Sequence, residues 1–307
     1  MSKFEGVIPA LITPFVPDGE VYLEGLENEI NYLNLYGYKN IFVGGSYGAF
    51  PLLSLHERMV INACAIRLAK MLDMKTIIHI GAASTRDSII LAEHAEDEGA
   101  DAVSSVFPYY YSHTFYNVEN YLRYFEKLIN SVRIDVHLYN NPKTTGVNVN
   151  ITFLKKLIDM GLKGIKDGGV NNERLNDIIG NIDLENFDYY PSSTTSLVTA
   201  FMLGIKACVS GVSLCIPEII MEIYNRLQKE DCNYKNIFKF QKLVLDIRKI
   251  LGRKTGRAIS AYSILNLNGV DVGTCREPWI ALTNEETKEM MYDIARVCNE
   301  FCRENKE

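Results

Sequence analysis

Short, uniformly apolar runs alternate along the chain with longer amphipathic stretches, and the alternation repeats eight times. The short runs read as strands and the long ones as helices. In chain order the strands are Gly6–Ile12, Ile41–Val43, Thr76–Ile80, Ala102–Phe107, Ile134–Tyr139, a run ending at Lys166, Asn186–Tyr190 and Ala207–Gly211. Helices are expected over Glu20–Tyr36, Leu55–Leu72, Val118–Asn130, Ile151–Met160 and Thr194–Leu203, with another that Thr85 caps and that runs to Glu98. Glu24, Glu27 and Glu29 mark a solvated face of the first of them. Eight strand–helix units within about residues 1–230 predict an α/β chain folded as a (β/α)8 (TIM) barrel carrying the active site. Residues 231–307 then add a C-terminal extension of about three helices packed on it. A doubly wound open sheet is the alternative, but no GxGxxG follows the first strand.

Composition narrows the function classes. The chain has 307 residues, 47% hydrophobic and 23% charged, with a formal net charge of −6. That is long enough for a large core, and a mildly acidic balance gives no footprint for nucleic acid or an anionic membrane. No signal-peptide pattern opens the chain and no apolar run would span a bilayer. The seven cysteines form no CxxC pair, so they read as reduced thiols and the chain as cytoplasmic. Cys298 and Cys302 could share a helix face, where they read as small apolar filler. The five histidines, His113 among them, show no HxH or HxxxH spacing, so no metal site and no cofactor are expected.

In such a barrel the active site lies over the carboxyl ends of the strands. That places Thr13, Ser46, Tyr47, Tyr110, Tyr139, Lys166, Ser192 and Gly211 around one mouth. Within Gly161–Gly169, Gly164 and Lys166 share a strand face, with Lys163 and Ile165 on the other. If that face is the interior, the Lys166 ammonium is desolvated, its pKa falls, and a neutral amine is available to attack a ketone. Gly44-Gly45-Ser46-Tyr47-Gly48 turns from strand to loop with amides free to converge on a small carboxylate, beside the Ser46 hydroxyl. Tyr139 ends the neighbouring strand and could shuttle protons if Ser46 and Tyr110 hydrogen-bond it. His137, two residues earlier, lies one layer down and reads as a satisfied core histidine. Tyr109-Tyr110-Tyr111 is too aromatic for a solvated loop, and lines the mouth or packs on another subunit.

These residues, with the motifs around them, resemble the N-acetylneuraminate lyase and dihydrodipicolinate synthase superfamily of class I, Schiff-base aldolases. The likeness runs through Pro9–Phe15, Gly44-Gly45-Ser46, Pro108-Tyr109-Tyr110, Leu138–Pro142 with Thr145-Gly146, Gly164–Asp167, Gly269–Gly273 and Glu277-Pro278. It implies that Lys166 forms an imine with pyruvate or another 2-oxo acid, and that Tyr139 shuttles protons, coupled to Ser46 and Tyr110. It implies that Ser46 and Tyr47 bind the carboxylate, with Gly45, Thr13, Ser192, Thr194 and Gly211 as further substrate contacts, and that the enzyme is a homotetramer or homodimer. A tyrosine matching Tyr110 can come from a neighbouring subunit. Within the superfamily, Thr144 stands where synthases usually carry an arginine, and Gly-Gly-Ser resembles the sialic acid lyases. Tyr47-Gly48-Ala49 and Ser192-Ser193-Thr194-Thr195 depart from those lyases in turn. The expectation is a pyruvate lyase cleaving N-acetylneuraminate or a similar sugar acid. The alternatives are a synthase condensing pyruvate with an aldehyde such as aspartate semialdehyde, and a non-enzymatic 2-oxo acid sensor or scaffold.

Overall fold

The computed structural model describes residues 3–111, 117–229 and 233–304. His113 and Cys232 lie outside the described residues; the described cysteines are free thiols. In chain order come β1 (Gly6–Pro9), α1 (Leu23–Leu35), β2 (Asn40–Val43), α2 (Leu55–Met71), β3 (Lys75–His79), α3 (Thr85–Glu98) and β4 (Ala102–Ser105). Next are α4 (Val118–Ser131), β5 (Asp135–Asn140), the single turn α5 (Pro142–Thr145), α6 (Ile151–Asp159), β6 (Gly164–Asp167) and α7 (Asn172–Asn181). β7 (Asp188–Pro191), α8 (Leu197–Met202), β8 (Ala207–Ser210) and α9 (Pro217–Leu227) complete the alternation. Three further helices follow: α10 (Tyr234–Leu251), α11 (Arg257–Leu267) and α12 (Asn284–Glu304).

All eight predicted strands are present, each within a few residues of its expected place. Their pairing is parallel and sequential, and the sheet curls. One ladder runs unbroken from β2 to β7, and a second joins β1 to β8. A single bridge between Ala10 and Phe42 links β1 to β2, while β7 and β8 lie side by side without a ladder. The continuous ladder of a closed barrel is therefore interrupted at two seams. Proline accounts for part of this, since Pro9 ends β1 and Pro191 ends β7, and neither has an N–H to donate. At the second seam the Cys208 thiol donates to the Pro191 carbonyl at 3.1 Å.

Both faces of the sheet are buried, which is why the strands read as apolar runs rather than as alternations. Val43, Ile78, Val103, Leu138 and Ile165 face the helices, while Ile8, Phe42, Ile77, Tyr139, Tyr190 and Val209 fill the interior. Lys166 falls on the interior side, opposite in parity to Ile165. His137, one layer below Tyr139, stacks against Phe4 and Tyr190. It is not satisfied as expected: neither ring nitrogen has a hydrogen-bond partner among the described residues, and Nε2 stands 3.8 Å from Asp188 Oδ2.

Local sequence accounts for several departures from the expected elements. Ser84, not Thr85, caps α3, accepting the Asp87 N–H at 3.1 Å, and Gly99 closes the helix with φ 84°. α7 was not expected, because NERLNDIIGN carries few apolar positions; Asn171 caps it from the Arg174 N–H. The stretch Thr194–Leu203 divides into a 3-10 turn, Thr194–Ser196, and α8. Glu29 is fully buried rather than solvated, accepting the Ile12 N–H at 3.0 Å, and burial pushes its pKa well above the usual range. Among the described residues no helix is long and apolar enough to cross a membrane.

The last helices are tied to the carboxyl ends of the strands. The Tyr262 hydroxyl donates to the Thr13 carbonyl at 2.6 Å, and Gln241 Nε2 donates to the Thr194 carbonyl at 3.0 Å. Gly164 shows how closely the interior is filled: a Cβ there would stand 2.8 Å from His137 Cδ2 and 2.9 Å from the Asp188 carbonyl oxygen. The backbone oxygen cannot rotate away. Gly164→Ala is therefore expected to lower stability by about 1–3 kcal/mol in urea denaturation. A variant as stable as the parent would show slack in this layer.

Candidate active site

Lys166 ends β6 inside the curl of the sheet, 3% exposed. Its Nζ lies 3.5 Å from the centroid of the Phe42 ring and 4.0 Å from that of Tyr139. Burial alone holds its pKa well below the ordinary lysine value of 10.5. An ammonium between two ring faces has lost its hydration shell without gaining a carboxylate, which favours the neutral amine. Register places Tyr139 and Tyr190 on the neighbouring strands at the same level as Lys166.

Three polar side chains meet beside the amine. The Ser46 and Tyr139 hydroxyls are 3.3 Å apart, and Asn141 Nδ2 donates to both at 3.2 Å. Burial raises the Tyr139 pKa, and the Ser46 hydrogen bond partly offsets it. Asn141 was not singled out in the sequence, although it shares the parity of Tyr139 two residues on. Glycine makes the adjoining loop possible. Gly44 takes φ 66°, and a Cβ on Gly45 would meet the Phe42 ring at 2.7 Å and Lys166 Nζ at 3.6 Å. The N–H groups of Gly45, Ser46 and Tyr47 donate to no protein acceptor among the described residues, so they remain available to an anion.

His79 and Arg58, also unremarked in the sequence, hold this loop from beneath. His79 Nδ1 lies 2.8 Å from the Gly44 carbonyl, which can only accept, so the proton is on Nδ1 and Nε2 accepts the Val106 N–H at 3.4 Å. Burial first, and then the nearby Arg58 guanidinium, hold the His79 pKa well below the ordinary imidazole value. Arg58 donates to the carbonyls of His79 and Gly81 at 2.8 and 2.9 Å. On the far side, Asp167 accepts from Arg174 Nε and from Asn140 Nδ2, each at 2.8 Å, which fixes the end of β6 next to the lysine.

The other expected contacts are distributed unevenly. Ser192, Thr194 and Gly211 line the same cavity of about 480 Å³ as Lys166, Ser46, Tyr47 and Tyr139. Thr194 is otherwise committed, its hydroxyl 3.3 Å from that of Ser210. Thr13 is buried and donates to the Gly48 carbonyl at 2.7 Å, so its hydroxyl braces the loop. The Tyr47 ring lies over Gly211, where a Cβ would be 2.3 Å away. Tyr110 is apart from the cluster: it is 85% exposed with φ 80° and packs edge-on against Tyr111. Its neighbour Tyr109 turns inward instead, against Phe50. Thr144 is exposed, with its hydroxyl on the Asn141 carbonyl, and Lys143 rather than Thr144 reaches the cavity rim. A larger open depression of about 850 Å³ lies at the amino ends of the strands, among Lys3, Lys39 and Lys75, remote from the amine.

A desolvated lysine at a strand's carboxyl end, with a hydroxyl pair and free amides beside it, defines a Schiff-base lyase on a curled parallel α/β sheet. The comparisons with known proteins give the family. Residues 3–297 match the Dihydrodipicolinate synthetase family, and the chain belongs to it. It is an aldolase-type, Schiff-base enzyme of that family rather than a binding module. The 4-hydroxy-tetrahydrodipicolinate synthase of Methanocaldococcus jannaschii is 28% identical over 292 residues, covering 93% of this chain and 96% of that protein. The synthase of the same name from a Hydrogenobaculum species is 30% identical over 271 residues, covering 86% and 89%. The dihydrodipicolinate synthase structure from Bacillus anthracis superposes with a TM-score of 0.87 at 26% identity, covering 96% of this chain and 99% of that one.

Burial of Lys166 has a measurable consequence for stability. Its folded pKa lies below the unfolded value near 10.5, so between the two the unfolded chain binds more protons and stability rises with pH. One such proton contributes about 1.4 kcal/mol per pH unit. Lys166→Met is expected to be more stable than the parent near neutrality, with the advantage closing as the pH approaches 10.5. Urea denaturation of both proteins between about pH 7 and 10 measures this. Parallel pH profiles would contradict a desolvated amine.

Proposed function

We propose that the protein is a pyruvate-dependent synthase that condenses pyruvate with an aldehyde, as relatives named 4-hydroxy-tetrahydrodipicolinate synthase suggest for aspartate semialdehyde. The observation that carries the reading is the Lys166 amine, buried between Phe42 and Tyr139 and facing the Ser46–Tyr139–Asn141 cluster. The names of the relatives favour this alternative over the expected cleavage of N-acetylneuraminate.

Lys166 attacks C2 of pyruvate, and the carbinolamine loses water to give an iminium. Loss of a methyl proton yields an enamine, whose carbon attacks the aldehyde carbonyl as the C–C bond forms. Tyr139 supplies the proton with which water leaves, takes up the methyl proton as the enamine forms, passes it to the developing alkoxide, and is reprotonated through Ser46 by the proton released when the new iminium is hydrolysed. Hydrolysis of the new iminium frees the amine. The iminium nitrogen accepts the electron pair when the methyl proton leaves and, as the enamine, returns it to the new C–C bond. Ser46 and the amides of Gly45–Tyr47 hold the pyruvate carboxylate, which needs no buried cation of its own. The eight strands in barrel order, with this site over their carboxyl ends, support the (β/α)8 barrel, with residues 231–307 as its helical extension. We infer that Tyr110 completes the site of a neighbouring copy in a homodimer or homotetramer; its exposure and left-handed conformation support this.

Steady-state rates with pyruvate plus aspartate semialdehyde, set against N-acetylneuraminate alone, test the assignment. Condensation is expected to dominate; selective cleavage of N-acetylneuraminate would overturn it. Tyr139→Phe is expected to lower kcat by about 10²–10⁴-fold. Full activity in that variant would remove the proton shuttle.

A further inference from the structure

Two arginines reach the cavity from the C-terminal helices, and the imine chemistry has no use for either. Arg248 lies in the last turn of α10, and Arg257 is the first residue of α11. Both line the cavity that holds Lys166, and both are part-buried. Cations nearby in the sequence are neutralised: Lys249 by Asp246, Arg253 by Asp293 and Lys254 by Glu289. Arg248 and Arg257 have no carboxylate partner among the described residues. Their polar neighbour is the Tyr47 hydroxyl, whose pKa burial pushes up to about 12 while Arg257 and, more weakly, Arg248 pull the other way. The contact of the Tyr47 ring with Gly211 fixes where that hydroxyl points.

Two like charges, partly desolvated and unpaired, are stable together only when an anion lies between them. The pyruvate carboxylate is already provided for by Ser46 and the free amides. Thr144, which faces away from the cavity, leaves no arginine on the α5 turn to hold a second anionic group. We propose that Arg248 and Arg257, with the Tyr47 hydroxyl, bind an anionic group, carboxylate or phosphate, at the far end of the aldehyde that reacts with the lysine-bound pyruvate. The assignment rests on the condensing reading above. It makes the C-terminal helices the source of substrate specificity, and neutral polyhydroxy aldehydes poor substrates because they gain no ion pair from either guanidinium.

The test compares kcat/KM for aspartate semialdehyde, glyceraldehyde 3-phosphate and butyraldehyde, each with saturating pyruvate. The parent enzyme is expected to prefer one or both anionic aldehydes, and which of the two it prefers separates the carboxylate from the phosphate. In R248Q and R257Q, kcat/KM for the preferred anionic aldehyde should fall about 10- to 100-fold through KM. Butyraldehyde should be little changed, and R248K and R257K should recover part of the loss. A parent enzyme that uses neutral and anionic aldehydes alike overturns this assignment alone. So does a rise in KM for pyruvate rather than for the aldehyde, because the arginines would then hold the pyruvate carboxylate. A parent enzyme that condenses pyruvate with none of the three contradicts the reading beneath it.

Discussion

Removal of one ammonium from water is the constraint on which the rest of this structure depends. Lys166 sits between Phe42 and Tyr139 because the eight strands curl around an interior that is packed with apolar and aromatic side chains at that level. Every neighbouring choice supports that placement. Gly45 lets the loop cross the Phe42 ring, Gly164 makes room below for His137 and Asp188, and the buried Asp167–Arg174 pair anchors the strand end. A charged lysine there would be costly; a neutral one is a nucleophile. In the proposed function, the same desolvation that weakens the fold at neutral pH supplies the reactivity, a common trade at active sites.

The polar groups divide into a fixed half and an adaptable half. Ser46, Tyr139 and Asn141 form a closed hydroxyl–amide cluster, held from behind by neutral His79 and by Arg58. In the proposed function, that half serves the carboxylate and ketone of the 2-oxo acid. The roof is built from the loops after β7 and β8 and from α10 and α11.

Much of this was legible in the sequence because it depends on period and punctuation. Strand periodicity put Lys166 opposite Ile165, and the glycines after Val43 marked a loop with free amides. What could not be read comes from contacts between distant segments. Glu29 sits among charged neighbours on a helix and looks solvated, yet it caps the Ile12 N–H 17 residues away. His79 is one histidine in an apolar run, and only the fold reveals the Gly44 carbonyl beside it. Arg248 and Arg257 look like the solvated charges of any surface helix until α10 and α11 are packed over the mouth. Tyr110 matched a motif, but within one chain it points away from Ser46 and Tyr139.

The central claim is that Lys166 is a competent amine for a 2-oxo acid. Incubating the protein with pyruvate, reducing with borohydride and mapping the adduct by peptide mass spectrometry tests it most directly. The account predicts a single reduced pyruvyl adduct on the peptide containing Lys166. A folded protein that gives no adduct, or carries it on another lysine, would contradict the account.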